Sequence, residues 1–368
     1  MTDIKFFENI PSETLEFIGK LNKNKNLDIT PTEKDYTKIG KKINMGYICY
    51  SLKILKMTNG WLTLTQEEKN KWVNTLYSYQ TLEYKDFDNY YIDPEVYSYF
   101  NKKISTFNIK SQLKKTANYA LKKNFEEKSK HIFKTLNADN KQTISTLSDL
   151  GYQTKNTPKI FFESHLNLAK YLDSYDWSQP WNAGAQFSSL ALYNTVFKLG
   201  FENELESFIE NKINIETGSY FDKKPNSNRQ IINGAMKVIT GLDWMNIPIH
   251  NPEKLIDFCL NNKPEFEGCD LVDYVYVLCK TTNQTNYRKK EVSSILIEVL
   301  EYLKLLYHMD YKGFSYFINK SQTHYYGINI SKGSNVPDIH GTILSVWAIV
   351  MILEVLEKNK NKYKVIKP

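Results

Sequence analysis

The chain has 368 residues, 41% of them hydrophobic and 14% aromatic, the makeup of a soluble globular protein with a large core. Its formal charge of +7 comes from 48 basic and 41 acidic residues, yet only Arg229 and Arg288 are arginine. Scattered lysine lacks the planar fork that reads phosphate and guanine, so nucleic acid is not an expected partner. The longest apolar run, Ile343 to Leu353, is too short to span a bilayer, and Met1 to Lys5 lack the apolar stretch of a signal peptide. Four cysteines (Cys49, Cys259, Cys269, Cys279) show no CxxC pair, which fits reduced thiols and a cytoplasmic location.

In chain order, helix-period segments are predicted at Lys42–Met57, Gln66–Tyr79, Ser111–Lys122, Ile160–Leu172, Gly184–Leu199, Glu204–Lys212, Asn233–Leu242, Pro252–Asn261, Asp270–Thr281, Lys290–Tyr307 and Gly341–Lys358. Two kinds alternate. Gly184–Leu199, Asp270–Cys279 and Gly341–Leu353 are apolar nearly all round, as helices buried on every side are. Glu204–Lys212 and Pro252–Asn261 are amphipathic, as helices lying outside a core are. The more polar region from about 85 to 155 fits either an excursion or part of the same arrangement. The expected fold is all-α, one domain of inner helices ringed by outer ones.

One phrase is written twice. Gly218-Ser219-Tyr220-Phe221 precedes Asn233-Gly234-Ala235 at the head of an apolar run, and Gly313-Phe314-Ser315-Tyr316-Phe317 precedes Asp338-Ile339-His340-Gly341-Thr342 at the head of another. A repeated turn, polar loop and helix start point to a helical repeat architecture.

Candidate chemistry concentrates at the helix starts. His324 and Tyr325, with Tyr326 beside them, share a loop with Asp338 and His340; His and Tyr serve as proton donors, acceptors and positioning groups near neutrality. Asp338 is also placed to cap the helix. Asp270 and Asp273, spaced i,i+3, fall on one helix face, where burial would keep one carboxyl protonated as an acid. Trp177, Trp181, Asn182 and Gln186 surround a proline-led helix start, a set that would stack on a sugar ring or shield a cation. Asn233 and Trp244 are further candidates for substrate binding, and Glu163 and His165 are candidates for completing the cavity. Cys269, Asp270 and His340 supply the elements of a zinc site, but no ligand pair lies close in sequence, so no cofactor is expected. No phosphate-binding glycine loop, GxSxG elbow or HExxH motif occurs.

The rhythm of Gly-Phe-Ser turns, inner helices and proline-led outer helices across residues 160–357 resembles the α/α toroid of terpene cyclases and protein prenyltransferases. That resemblance implies a cavity for an apolar, isoprenoid-like substrate, with Asp270 or Asp273 as acid and His340 or His324 as base. The cyclases' Asp-x-Asp-Asp motif is replaced here by Cys269-Asp270-Leu271-Val272-Asp273, and no Asp-Asp-x-x-Asp motif is present. α/α toroids also serve carbohydrate-active hydrolases, lyases and epimerases, and a non-catalytic helical scaffold is the third reading. The expected partner is a small molecule or glycan.

Overall fold

The computed structural model describes residues 4–23, 26–81, 84, 87–105, 128–158 and 167–368. Its helices are α1 (Ile4–Phe7), α2 (Ile10–Leu21), α3 (Met45–Met57), α4 (Gly60–Thr63), α5 (Gln66–Tyr77), α6 (Pro94–Ser105), α7 (Lys128–Leu150), α8 (Leu168–Asp173), α9 (Pro180–Phe197), α10 (Glu202–Glu210), α11 (Asn228–Met245), α12 (Pro252–Asn261), α13 (Gly268–Thr282), α14 (Lys289–Leu306) and α15 (Ile339–Val355). Strands among the described residues form only three short antiparallel pairs: β1 (Gln80–Thr81) with β2 (Tyr90–Tyr91), β3 (Tyr307–His308) with β4 (Gly313–Phe314), and β5 (His324–Tyr325) with β6 (Ile328–Asn329). The chain is therefore of the all-α class. Among the described residues no helix is long and apolar enough to cross a membrane.

Helix contacts divide these elements into two sets. α3 packs on α7, α7 on α9, α9 on α11, α11 on α13, α13 on α15, and α15 returns to α3. The remaining longer helices lie against members of this cycle: α2 on α3 and α15, α5 on α3, α6 on α7, α10 on α9, α12 on α13, and α14 on α13 and α15. Composition explains the division. α15 is apolar along almost its whole length and α9 buries residues on all sides. α10 and α12 bury one stripe each, Leu205, Phe208 and Ile209 in the first and Leu255, Ile256 and Cys259 in the second.

The repeated glycine-aromatic turns dock onto helix starts in the cycle. In the first copy the Ser219 hydroxyl donates to the Ile231 carbonyl at the head of α11, 2.9 Å away. In the second, Phe314 N–H donates to Thr342 Oγ1 at 3.0 Å and Asp338 N–H donates to the Phe314 carbonyl at 2.9 Å. Gly341 permits that approach, because a Cβ there would lie 2.4 Å from the Tyr316 backbone nitrogen. Beside this turn, Thr37 N–H reaches the Ile330 carbonyl, Lys332 N–H the Asp35 carbonyl and Ile339 N–H the Pro31 carbonyl, all at 2.9 Å. These bonds clasp a segment from near the start of the chain to the entry of α15.

Several elements differ from the sequence expectation. α9 begins at Pro180 rather than Gly184, because proline at the first helical position needs no N–H partner. α11 begins at Asn228, where the Ser227 side chain caps it. The 23-residue α7, α2 and α6 were not predicted. α7 hides its period because its buried positions are largely polar: Thr135, Asn137, Asp139, Asn140, Thr143, Ser145 and Thr146. It belongs to the cycle, so the region from 85 to 155 contributes a wall of the interior. The helix predicted at Ser111–Lys122 lies outside the described residues, as do residues 160–166 of the one predicted at Ile160–Leu172, with Glu163 and His165.

Candidate active site

All six helices of the cycle contribute to one cavity of about 480 Å³. Tyr50 and Lys53 come from α3, Asn137 and Lys141 from α7, Gln186 and Ser189 from α9, Met236 and Lys237 from α11, Cys269 and Asp273 from α13, and His340, Ile343 and Trp347 from α15. The β5–β6 hairpin adds Tyr325 and Tyr326, and the turn before α15 adds Tyr316 and Gln322. Ile366 and Pro368 also border it; the Ile366 carbonyl accepts from Trp347 Nε1 at 3.2 Å.

Asp273 and His340 bring a carboxyl and an imidazole to the cavity wall. Burial pushes the Asp273 carboxyl up to about 6, against the pull of nearby Lys237, whose Nζ lies 4.0 Å from Oδ1. Burial, reinforced by the charge of Lys237, pushes the His340 imidazole down to about 4. Each leaves one buried polar atom without a hydrogen-bond partner among the described residues, Oδ2 of Asp273 and Nδ1 of His340. The imidazole lies flat against Tyr50, ring centroids 4.9 Å apart and planes 4° apart, with Tyr316 tilted against it at 5.2 Å.

Two other acids support the site. Asp338 caps α15: Oδ1 accepts from Gly341 N–H at 2.7 Å, while Oδ2 accepts from Tyr316 N–H at 2.8 Å and Gln322 N–H at 3.0 Å. With every bond directed at backbone, Asp338 fixes the loop that carries Tyr316 and Gln322 to the cavity. Its burial nevertheless raises the carboxyl to about 6. Asp139 on α7 accepts from the Tyr325 hydroxyl at 2.5 Å, and burial raises its carboxyl to about 7. Gly46 of α3 makes room for that phenol, since a Cβ there would sit 2.2 Å from Tyr325 Oη.

Lysines are the unexpected component. Lys53, Lys134, Lys141 and Lys237 border the cavity, and among the described residues Asp273 is the one acidic side chain beside them in its lining. Lys53 is buried, with Asp149 Oδ2 3.6 Å away and the Lys367 carbonyl accepting at 3.0 Å. Lys141 Nζ donates to the Ser188 hydroxyl at 2.7 Å. Burial, with Lys237 and Lys53 nearby, lowers the Lys141 ammonium well below its ordinary range. Lysine in a sequence reads as solvated surface, so Lys53, Lys141 and Lys237 gave no signal. Buried Ser188 on α9, packed beside the unpredicted α7, could have been found only with that helix.

The other sequence candidates are elsewhere. Asp270 faces a second cleft of about 590 Å³ that it shares with Trp181, Arg229 and Glu267. Its carboxylate accepts from Arg229 Nε at 2.9 Å and Asn233 Nδ2 at 2.6 Å, and the guanidinium lies over Trp181 at 5.1 Å. Asp270 and Asp273 thus face different spaces despite their i,i+3 spacing, and so do Asp270 and His340 of the notional zinc set. Trp177 is buried against Phe208 in a separate apolar cluster, its Nε1 donating to the Leu172 carbonyl. Trp244 is buried with its Nε1 directed to the Pro368 carbonyl. Asn182 and His324 are exposed, and neither lines the cavity. Of the candidates, Asp273, His340, Tyr325, Tyr326 and Gln186 converge there.

Among the described residues one set of metal-capable side chains meets, Glu206 and Glu210 of α10 with His250, all within 4.8 Å. None of the three borders the cavity. Compared with known proteins, the chain matches no family model, no curated protein and no solved structure.

Proposed function

We propose that the chain is an enzyme that performs acid–base chemistry on a polyhydroxylated ring, a carbohydrate-active protein on an α/α toroid. The closed cycle of inner helices with others outside it supports the toroid reading. The observation that carries the function is the pairing of Asp273 and His340 in one cavity, with opposite displacements of their proton affinities. Between about pH 4 and 6 the first holds its proton and the second lacks one, the states that an acid and a base need. Asp273 would donate to a leaving oxygen and His340 would take a proton from an attacking water or from a ring carbon.

The walls suit a sugar. Tyr50, Tyr316, Tyr325 and Trp347 offer faces for stacking, while Asn137, Gln142, Gln186 and Gln322 offer amides for hydroxyls. The cyclase-like alternative is supported by the apolar part of the wall, Met236, Ile343, Leu344 and Trp347. Lysines count against it, because an ammonium group beside a carbocation raises the energy of that intermediate.

An untargeted metabolite and oligosaccharide turnover assay tests the reading. Asp273→Asn and His340→Gln, both folded, are expected to lose turnover ~100-fold or more. Retention of wild-type turnover by both would remove the assignment.

A further inference from the structure

The proposed acid–base pair leaves the cavity's lysines unused. Lys53 has Asp149 as counter-charge and Lys237 has Asp273, at 3.6 Å and 4.0 Å. Lys141 has neither: among the described residues its one bonding partner is the neutral Ser188 hydroxyl. An ammonium drawn into a low-dielectric wall without a counter-ion is costly to maintain. Here three lysines, from α3, α7 and α11, border one space large enough for a small molecule, and among the described residues Lys141 is the one of them without a counter-ion. Burial and the other two lysines already weaken the hold of Lys141 on its proton. A ligand that brings negative charge would supply the missing partner and reverse that effect. Electrostatic complementarity of this kind selects ligands by charge.

We propose that the cavity takes an anionic sugar, whose carboxylate, sulfate or phosphate group binds Lys141, with Lys237 and Lys53 alongside. The inference rests on the carbohydrate reading of the same cavity. Lys141 acts in it as a binding residue, and no covalent step is involved. Ser188 orients the amine from the neighbouring α9, and the aromatic part of the cavity wall receives the ring.

The test compares neutral and charged probes on the whole protein by ligand-observed NMR and calorimetry. Glucose is the neutral probe; glucuronate, glucose 6-sulfate and glucose 6-phosphate carry the three oxyanions. The wild type is expected to bind at least one anionic probe ~10- to 100-fold more tightly than glucose, as a charged hydrogen bond to a half-buried lysine implies. The best of the three identifies the group. Lys141→Gln and Lys141→Met are expected to lose that preference while still binding glucose. If no anionic probe binds better than glucose to the wild type, the inference is overturned, whatever the folding of the variants. Equal anion preference in a folded Lys141→Met protein overturns it as well. Since these are binding measurements, their failure is distinct from failure of the acid–base assignment, which Asp273→Asn and His340→Gln report through turnover.

Discussion

Tyr50 and His340 lie face to face, their rings 4.9 Å apart and 4° from parallel, although they come from opposite ends of the chain. The stack places the imidazole in an aromatic wall, where its charged form has lost its water. Lys237 then couples the imidazole to Asp273, since it lowers the proton affinity of both.

A bell-shaped kcat/KM profile follows, with limbs near pH 4 and 6 set by His340 and Asp273. Lys237→Met removes a positive charge that depresses both groups, so both limbs should move upward together. A profile in Lys237→Met that superimposes on the wild type would contradict this coupling.

Asp270 and Asp273 should separate in the same assay. Asp270 is held by Arg229 and Asn233 in the second cleft, so Asp270→Asn is expected to leave turnover within a few-fold of wild type. Arg229 is largely exposed, and Arg229→Ala should cost under ~1 kcal/mol by denaturant titration. A loss of turnover in Asp270→Asn comparable to that in Asp273→Asn would move the chemistry to the second cleft.

Asp139 should make the fold less stable as the solution becomes more alkaline. Burial raises its folded-state carboxyl to about 7 from an ordinary 3.8, so between these values the folded chain keeps a proton that the unfolded chain releases. Stability is therefore full below pH 4 as far as this group is concerned, and falls as pH rises through 7. Asp139→Asn still accepts from Tyr325 and should remove on the order of 2 kcal/mol of that fall. Asp149, Asp273 and Asp338, each raised to about 6, act in the same direction and keep a residual slope. Denaturant unfolding at pH 5 and pH 8 measures the difference. An unchanged slope in the variant would show that Asp139 ionises normally.

At the head of α15, Asp338→Ala leaves three backbone donors without their acceptor and should cost on the order of 3 kcal/mol. Gly341→Ala drives a methyl into the Tyr316 and Ser315 backbone, at 2.4 and 2.5 Å, and should cost at least ~2 kcal/mol. Thermal unfolding checks both, and a melting temperature within a degree or two of wild type in either would refute the tight docking described here.

What could be read in the sequence follows from which residues carry two roles. α13 and α15 announce themselves because apolar residues on every side have no place except a buried helix. Asp273 and His340 were legible because polar groups inside such helices stand out. α7 was not, since Thr, Asn, Ser and Asp make up more than half of the positions it buries and mimic a surface. The same ambiguity hid Lys53, Lys141 and Lys237, whose long apolar stems let them occupy an interior wall. Asp270 was grouped with Asp273 because spacing along a helix gives the face of a side chain, not the space beyond it.

The clasp between residues 31–37 and 330–339 has a consequence for how the chain is made. Its partners are separated by roughly 300 residues, so during synthesis the early segment must wait for all of those residues to emerge before it can pair. Until then α3 lacks its neighbour α15, the cavity lacks one wall, and the Asn137, Lys141 and Gln142 side chains that α7 turns to it meet water, where they are at home. The polar side chains on that side of α7 thus also shelter the nascent chain, because the partly built assembly exposes fewer sticky edges there before α15 is made.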